Sequence, residues 1–472
     1  MTPNTFAYFS LIAWPLVALY LYLSRPAAAA TMWTILAGQL LLPVGTFFKF
    51  EMIPQFDKTS IPNLCALVGC IIAEKRPPRT TSGIGVVEAL ILLCIAGPLL
   101  TSLLNGDPIH IGSTVLPGVG FYDGTSAVIS QVIMLIPFFL GRHFFRNAAD
   151  TQKLFSVLGF AGLAYSILLL FEIRFSPQLH NWVYGYYPSD FIQTMREDGG
   201  FRPMVFMGHG LIASFFAMTA AVASAALWRT RVRIVKFAPA GAVAVYLSAV
   251  LILCKSGAAS IYGMVLVPMV SWMKPRFQMR VAAILVSVAL LYPALRIYDL
   301  FPTSTLVELA SAVNEQRASS LRYRFEQEGL LLERASQRFL FGWGRFGRNR
   351  VFVEDWRGIG GDSSVTDGLW IIVLGQFGLL GFIAEFGLLA ISVFRAAKAL
   401  KFAESFDGSV FLSALALIVA VNMVDLLPNS ALSPWTWLLV GSLLGRSELI
   451  LARSRNRGSQ TTTPLKLQEA RV

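Results

Sequence analysis

The sequence predicts an all-α polytopic membrane protein of twelve or thirteen transmembrane helices, with one large helical loop near its C-terminus. Three observations carry this expectation. Hydrophobic residues make up 55% of the 472 residues and charged ones 14%, giving a mean hydropathy of +0.61, a balance typical of chains in which apolar runs of about 20 residues recur. The Lys and Arg residues gather in every second loop between those runs. One long polar interval, 301–367, then breaks the pattern.

Thr5–Leu23 has neither a basic leader nor a small-residue cleavage site, so it is expected to stay as a membrane segment. Apolar segments follow near Thr31–Phe48, Ile61–Ala73, Ile84–Leu104, Ala127–Phe145, Lys153–Ile173 and Met204–Trp228. The series continues at Phe237–Cys254, Ala258–Met273, Val281–Tyr298, Leu369–Phe394, Ser409–Leu427 and Leu432–Leu451. Ile61–Ala73 is short for a bilayer crossing and carries Pro62 and Asn63, which leaves the count and the side of the N-terminus open. Cys65, Cys70, Cys94 and Cys254 all lie in apolar stretches without metal-ligand spacing and read as core fillers.

Orientation follows from the short loops. Lys75-Arg76-Arg79, Arg142/Arg146/Lys153, Arg229/Arg231/Arg233/Lys236, Lys274/Arg276/Arg280 and Arg395/Lys398/Lys401 alternate with poorly charged loops, and Arg453, Arg455 and Arg457 fall on the same side. The positive-inside rule makes that side cytoplasmic, and it accounts for the net charge of +12 without nucleic acid as a partner. The long loop then faces outward, and long loops escape the rule. The chain divides into a helical body at 1–300 with about ten segments, the Arg-rich loop at 301–367, three C-terminal membrane helices at 368–451, and a basic disordered tail at 452–472.

The loop holds nine arginines and no lysine. A guanidinium fork grips phosphate oxygens bidentately and keeps its charge, so an Arg-dense loop beside a membrane points to a phosphate-bearing ligand. Solvated ion pairs with the loop acids, and a general preference for Arg over Lys in this chain, are the competing explanation. Thr305–Gln337 has a ragged apolar stripe of Leu306, Leu309, Val313, Leu321, Phe325, Leu331 and Ala335, interrupted at Gly329, and is expected to be helical. The turn Gly342-Trp343-Gly344-Arg345-Phe346-Gly347-Arg348 either lets backbone N–H groups approach an anion or is a plain glycine-rich turn with an aromatic plug. Asp362-Ser363-Ser364 and Thr366-Asp367 supply N-cap candidates for the helix that begins at Leu369.

At these residues the chain resembles the O-antigen ligase/polymerase family of bacterial membrane glycosyltransferases, which join a many-helix body to one large periplasmic loop near the C-terminus. Arg322-Tyr323-Arg324, Phe339-Leu340-Phe341-Gly342-Trp343-Gly344-Arg345-Phe346, Asp367-Gly368-Leu369-Trp370 and Gly378-Leu379-Leu380-Gly381 follow the family's order and spacing. Upstream, Gly200-Phe201-Arg202-Pro203 looks like the family's Arg-bearing second periplasmic loop, and Cys254-Lys255-Ser256-Gly257-Ala258 stands where a Ser-Arg-Gly turn is usual. The family's ligases carry His where this chain has Asp367 and Asn where it has Gly368, so the resemblance favours a polymerase.

The resemblance implies glycosyl transfer from an undecaprenyl-pyrophosphate-linked sugar chain to an acceptor hydroxyl, at the periplasmic face of the bacterial inner membrane. It implies a polysaccharide product, no metal and no cofactor, membrane lipid around the enzyme, and a chain-length regulator and a flippase as pathway partners. The leaving group is a phosphate ester, so it needs charge stabilisation more than a general acid. Arg202, Arg322 and Arg324 are expected on the pyrophosphate with Asp367 as base or acceptor anchor. Arg345, Arg348, Trp343, His209 and Lys255 are expected to bind substrate. His209 could instead make an interhelical hydrogen bond, Lys255 could merely snorkel, and Asp367 could be an N-cap. Glu172, Glu385, Asn422 and Asp425 are polar groups at membrane depth and functional suspects for that reason. A ligase acting on another acceptor, and a transporter of lipid-linked oligosaccharides, are the rival readings. Transporters place their binding groups at the bilayer midplane rather than in one outer loop.

Overall fold

The computed structural model describes residues 2–50, 53–73, 85–196, 199–236, 238–312, 315–354, 359–403 and 405–461. The basic cluster at 75–79, Asp355, Arg357 and the end of the tail from 462 lie outside the described residues. Each apolar segment of the sequence becomes a helix. The body consists of α1 (Thr5–Ser24), α2 (Ala27–Leu41), α3 (Ser60–Ala73), α4 (Val86–Leu103), α5 (Phe121–Phe144), α6 (Ala148–Phe175), the short α7 (Leu179–Tyr184), α8 (Gly210–Arg229), α9 (Ala240–Leu253), α10 (Gly257–Trp272) and α11 (Pro275–Ile297). The loop carries α12 (Thr303–Ser311) and α13 (Glu315–Ser336), and α14 (Leu369–Ala399), α15 (Phe406–Asp425) and α16 (Pro434–Thr461) follow it. Three short antiparallel hairpins complete the chain: β1–β2 (Phe47–Phe48 with Phe56–Asp57), β3–β4 (Ile109–Ile111 with Thr114–Leu116) and β5–β6 (Phe352–Glu354 with Gly360–Asp362).

Among the described residues, eight helices are long and apolar enough to cross a membrane: α1, α4, α5, α6, α8, α11, α14 and α15. The molecule is therefore a multi-pass membrane protein. The shorter apolar helices α2, α3, α9 and α10 pack among them. Hydrogen bonds between loops sort the helix ends into two groups. At one end Asn4 N–H donates to Tyr184 O over 2.9 Å, Val44 N–H to His180 Nε2 over 3.2 Å, and Asn105 Nδ2 to Gly342 O over 3.0 Å. At the other, Arg142 bridges Glu88 at 2.9 Å and Glu448 at 2.7 Å, and Arg395 joins Glu448 at 2.7 Å. α3 runs between the two ends, and Asn4 sits at the same end as the long loop.

Close backbone approach is built in where helices cross. A Cβ on Gly141 would meet Leu438 O at 2.2 Å, and Cβ atoms on Gly441 and Gly445 would meet Phe138 O at 2.0 Å and Arg142 O at 2.2 Å. The Gly441/Gly445 pair thus lets α16 lie directly on α5, the small-residue packing that serves where lipid supplies no hydrophobic drive. α16 continues to Thr461, so residues 452–461 are helical rather than disordered. Extending a formed helix through Arg-rich sequence costs far less than nucleating one.

The loop departs from expectation in two ways. Its helical part is two helices, α12 ending at Ser311 and α13 beginning at Glu315 and running unbroken through Gly329, and Val313 of the expected stripe lies outside the described residues. The buried face is Val307, Ala318, Leu331 and Ala335, whereas Leu309 of the expected stripe is 62% exposed. Further on, α14 is not one continuous helix: Gly378 has φ 67° and ψ −166° in its middle.

Candidate functional site

The Gly378 break frees backbone groups, and the glycine-rich turn takes them up. Trp343 and Gly344 N–H donate to the carbonyls of Gly375 and Gln376 at 2.8 and 2.9 Å, and Leu379 N–H donates to Phe339 O at 2.8 Å. Gly342 and Gly344 have positive φ, and a Cβ on Gly342 would lie 2.5 Å from the Gln376 carbonyl carbon. These N–H groups are therefore bonded to α14 and do not cradle an anion. The turn is a structural plug in a broken helix.

Much of the loop's arginine is structural too. Arg334 and Arg338 stack on the Trp343 ring, 3.3 and 4.3 Å from its centroid, and Trp343 Nε1 donates to Arg334 O at 2.7 Å. Arg348 is 1% exposed and donates to Trp343 O at 3.2 Å, Pro117 O at 2.7 Å and Asp107 O at 2.9 Å. Arg338 pairs with Asp107 at 2.7 Å, and that hydrogen bond holds the Asp107 carboxyl below its usual range. Arg348 and Trp343, expected to bind substrate, are bonded within the protein and fasten the loop to the β3–β4 segment. Arg345 turns toward α5, half-buried, with Nη1 at 3.5 Å from Ser130 Oγ.

A second group of cations is arranged differently. Arg202 lies before α8, Arg196 earlier in the same loop, Lys255 in the α9–α10 turn and Arg324 on α13. Arg202 Nη2 donates to Lys255 O at 3.4 Å, while its Nε is buried without a partner. Burial, and then the like charges of Arg196 and Arg324, push the Arg202 guanidinium down to about 10. Arg324 Nε lies 3.5 Å from Asp367 Oδ2, with both side chains more than a third exposed. Arg322, two residues along the same helix and so on a face about 200° from that of Arg324, is exposed.

His209 joins the cluster as the N-cap of α8, its Nδ1 accepting from Leu211 N–H at 3.1 Å. This leaves Nε2 as the proton-bearing nitrogen. Burial, and then Arg202 and Arg196, lower its pKa, while Asp367 acts in the opposite direction. Asp367 is not a cap. Gly368 occupies the N-cap position of α14 without a side-chain bond, so the Asp367 carboxylate remains available to Arg324. Asp425, at the end of α15, accepts from Asn429 Nδ2 at 3.1 Å and is within electrostatic reach of Arg324.

Two buried carboxylates hold this arrangement. Glu172 of α6 accepts from Met204 N–H at 2.9 Å, Val205 N–H at 2.7 Å and Leu179 N–H at 3.1 Å, which fixes the backbone just after Arg202. Val205 needs that support, because a β-branched residue at φ 47° is strained. Glu328 accepts from Tyr292 OH at 2.8 Å and Trp370 Nε1 at 3.4 Å and lies 3.4 Å from Arg296, which anchors α13 to α11 and α14. Glu172, a functional suspect in the sequence, is a positioning residue. Arg196 is the residue that sequence reasoning missed. Its one signal was its nearness to Arg202 within a loop rich in glycine.

The cluster thus gathers three arginines and an imidazole around the Asp367 carboxylate, with Asp425 behind Arg324, while the Lys255 ammonium, expected to bind substrate, donates to Gly199 O. Such an excess of half-desolvated positive charge favours an anionic ligand with several oxygens. No known family model and no curated protein matches the chain.

Proposed function

We propose that this protein is a glycosyltransferase of the O-antigen ligase/polymerase kind, which polymerises undecaprenyl-pyrophosphate-linked repeat units into a surface polysaccharide at the periplasmic face of the bacterial inner membrane. One observation carries the reading. Arg196 and Arg202, more than a hundred residues before Arg324 in sequence, converge with it beside Asp367, the arrangement required to hold a pyrophosphate next to an acceptor hydroxyl. The order of motifs in the sequence agrees with it.

In this scheme Arg202, Arg324 and Arg196 hold the pyrophosphate and stabilise the charge that grows on it as the anomeric C–O bond breaks. His209 Nε2–H donates to an oxygen of the same ligand, and Lys255 supports the site through its carbonyl, which accepts from Arg202. Asp367, beside Arg324, accepts from the incoming sugar hydroxyl and draws its proton away as the new C–O bond forms. Arg345 stands apart from this group, beside Ser130, and Arg322 is exposed on α13.

Incubation of the purified protein with a lipid-linked repeat unit tests the reading. A ladder of elongated lipid-linked products is expected, and no product would remove the polymerase assignment. A deletion strain is expected to accumulate single repeat units on the carrier. Full-length chains stranded on the carrier would make the protein a ligase instead.

A further inference from the structure

A second cationic site lies at the opposite end of the bundle, where Arg142 meets Glu448. We infer that it binds a phosphate group, from a phospholipid headgroup or from a soluble phosphate compound, in a cavity of about 320 Å³ between α6, α15 and α16. Four arginines line this space, Arg146, Arg446, Arg453 and Arg457, and among the described residues no carboxylate does.

Arg446 gives the strongest reason. It is 2% exposed. One terminal nitrogen donates to Gly408 O at 2.6 Å, while Nη1 is buried without any hydrogen-bond partner. Arg146 Nε, on the facing wall, is also buried without one. A guanidinium removed from water with an unmet donor is costly unless an acceptor completes it. The donors that converge here suit the tetrahedral oxygens of phosphate, which accept from several forks at once.

The backbone adds to the same field. Asn147 caps α6, accepting from Asp150 N–H at 2.9 Å, and Ser405 caps α15, accepting from Gly408 N–H at 3.0 Å. Asn147, Ala148, Ser405 and Gly408 all line the cavity, so two long helices direct their positive ends into it. Asp150 lies near enough to Arg446 to offset part of its charge, but it does not line the space. Phe402, Leu449 and Ile450 form an apolar wall, which would accommodate the glycerol and upper acyl carbons of a lipid.

The test uses the full-length protein in detergent and two probes. Native mass spectrometry reads binding of phosphatidylglycerol against phosphatidylcholine, and titration calorimetry reads binding of inorganic pyrophosphate. At least one anionic probe is expected to bind. The paired substitution Arg146→Gln with Arg453→Gln should weaken it by about tenfold or more, the scale of a lost charge-assisted hydrogen bond, with the ligand-free melting temperature unchanged. Arg446→Lys, which keeps a buried cation but loses the fork, should weaken it as well. Lipid binding that the paired variant loses assigns the site to a headgroup, and pyrophosphate binding that it loses assigns the site to a soluble ligand, whereas pyrophosphate binding that it keeps belongs to the Arg202 cluster. Absence of binding to both probes, or equal binding by the paired variant, overturns the inference.

Discussion

Arg348 and Arg324 belong to one loop and carry the same group, yet their surroundings are opposite. Arg348 is enclosed and donates to three backbone carbonyls. Arg324 is more than a third exposed, facing one carboxylate and two other arginines. A guanidinium that meets carbonyls completes a fold. One held among its own kind raises the local positive potential, which favours an anion. The difference shows that arginine density in a loop does not measure a binding site, because what each fork meets is decided one residue at a time.

The comparison can be broken most forcefully at Arg348. Arg348→Ala would leave three carbonyls without a donor and Asp107 short of a partner, a loss of about 3–5 kcal/mol, read as a lower unfolding midpoint in detergent. Arg202→Lys and Arg324→Lys should do the reverse, with unchanged stability and about 100-fold slower glycan transfer, near 2.7 kcal/mol. Wild-type transfer in both Lys variants would take the cluster out of the chemistry.

Gly378→Ala tests the plug. Its Cβ would lie 2.3 Å from the Leu340 carbonyl at φ 67°, so a loss of about 2–3 kcal/mol is expected from backbone strain and overlap. Preserved stability would mean that the turn and α14 are not interlocked as described.

His180 offers a pH readout away from the cluster. It is fully buried, Nδ1–H donates to Tyr186 O, Nε2 accepts from Val44 N–H, and burial pushes its pKa down to about 4. A depressed pKa means that the stabilisation is complete above the unfolded value near 6.5 and is lost as pH falls toward 4, by about 3 kcal/mol. His180→Gln should flatten that acid limb of the unfolding profile. The smallest change is expected from Asp367→Asn, which keeps an acceptor but loses the charge. About tenfold slower transfer should result, with Asp367→Ala slower still.

Hydropathy made the helices legible. Each apolar segment is a helix, and of the described basic loops those holding Arg142 and Arg395 meet at one end through Glu448. The site was legible only in part. Arg202, Arg324, Asp367 and His209 do come together, whereas Trp343 and Arg348 are turned to structural use, the Lys255 ammonium bonds Gly199 O, and Arg322 is exposed on α13. The break at Gly378 was hidden because a lone glycine in an apolar run is ambiguous. Its consequence lies in a turn more than thirty residues earlier.

The sequence by itself determined that the chain is a bundle of apolar helices with one polar loop, because burial of apolar length and the spacing of charge are local properties. Only the tertiary structure decided which arginines are free to bind, where the N-terminus lies, and that α14 is broken and plugged. Those outcomes depend on which loops meet, and a guanidinium's role is fixed by the atoms brought to it from distant parts of the chain.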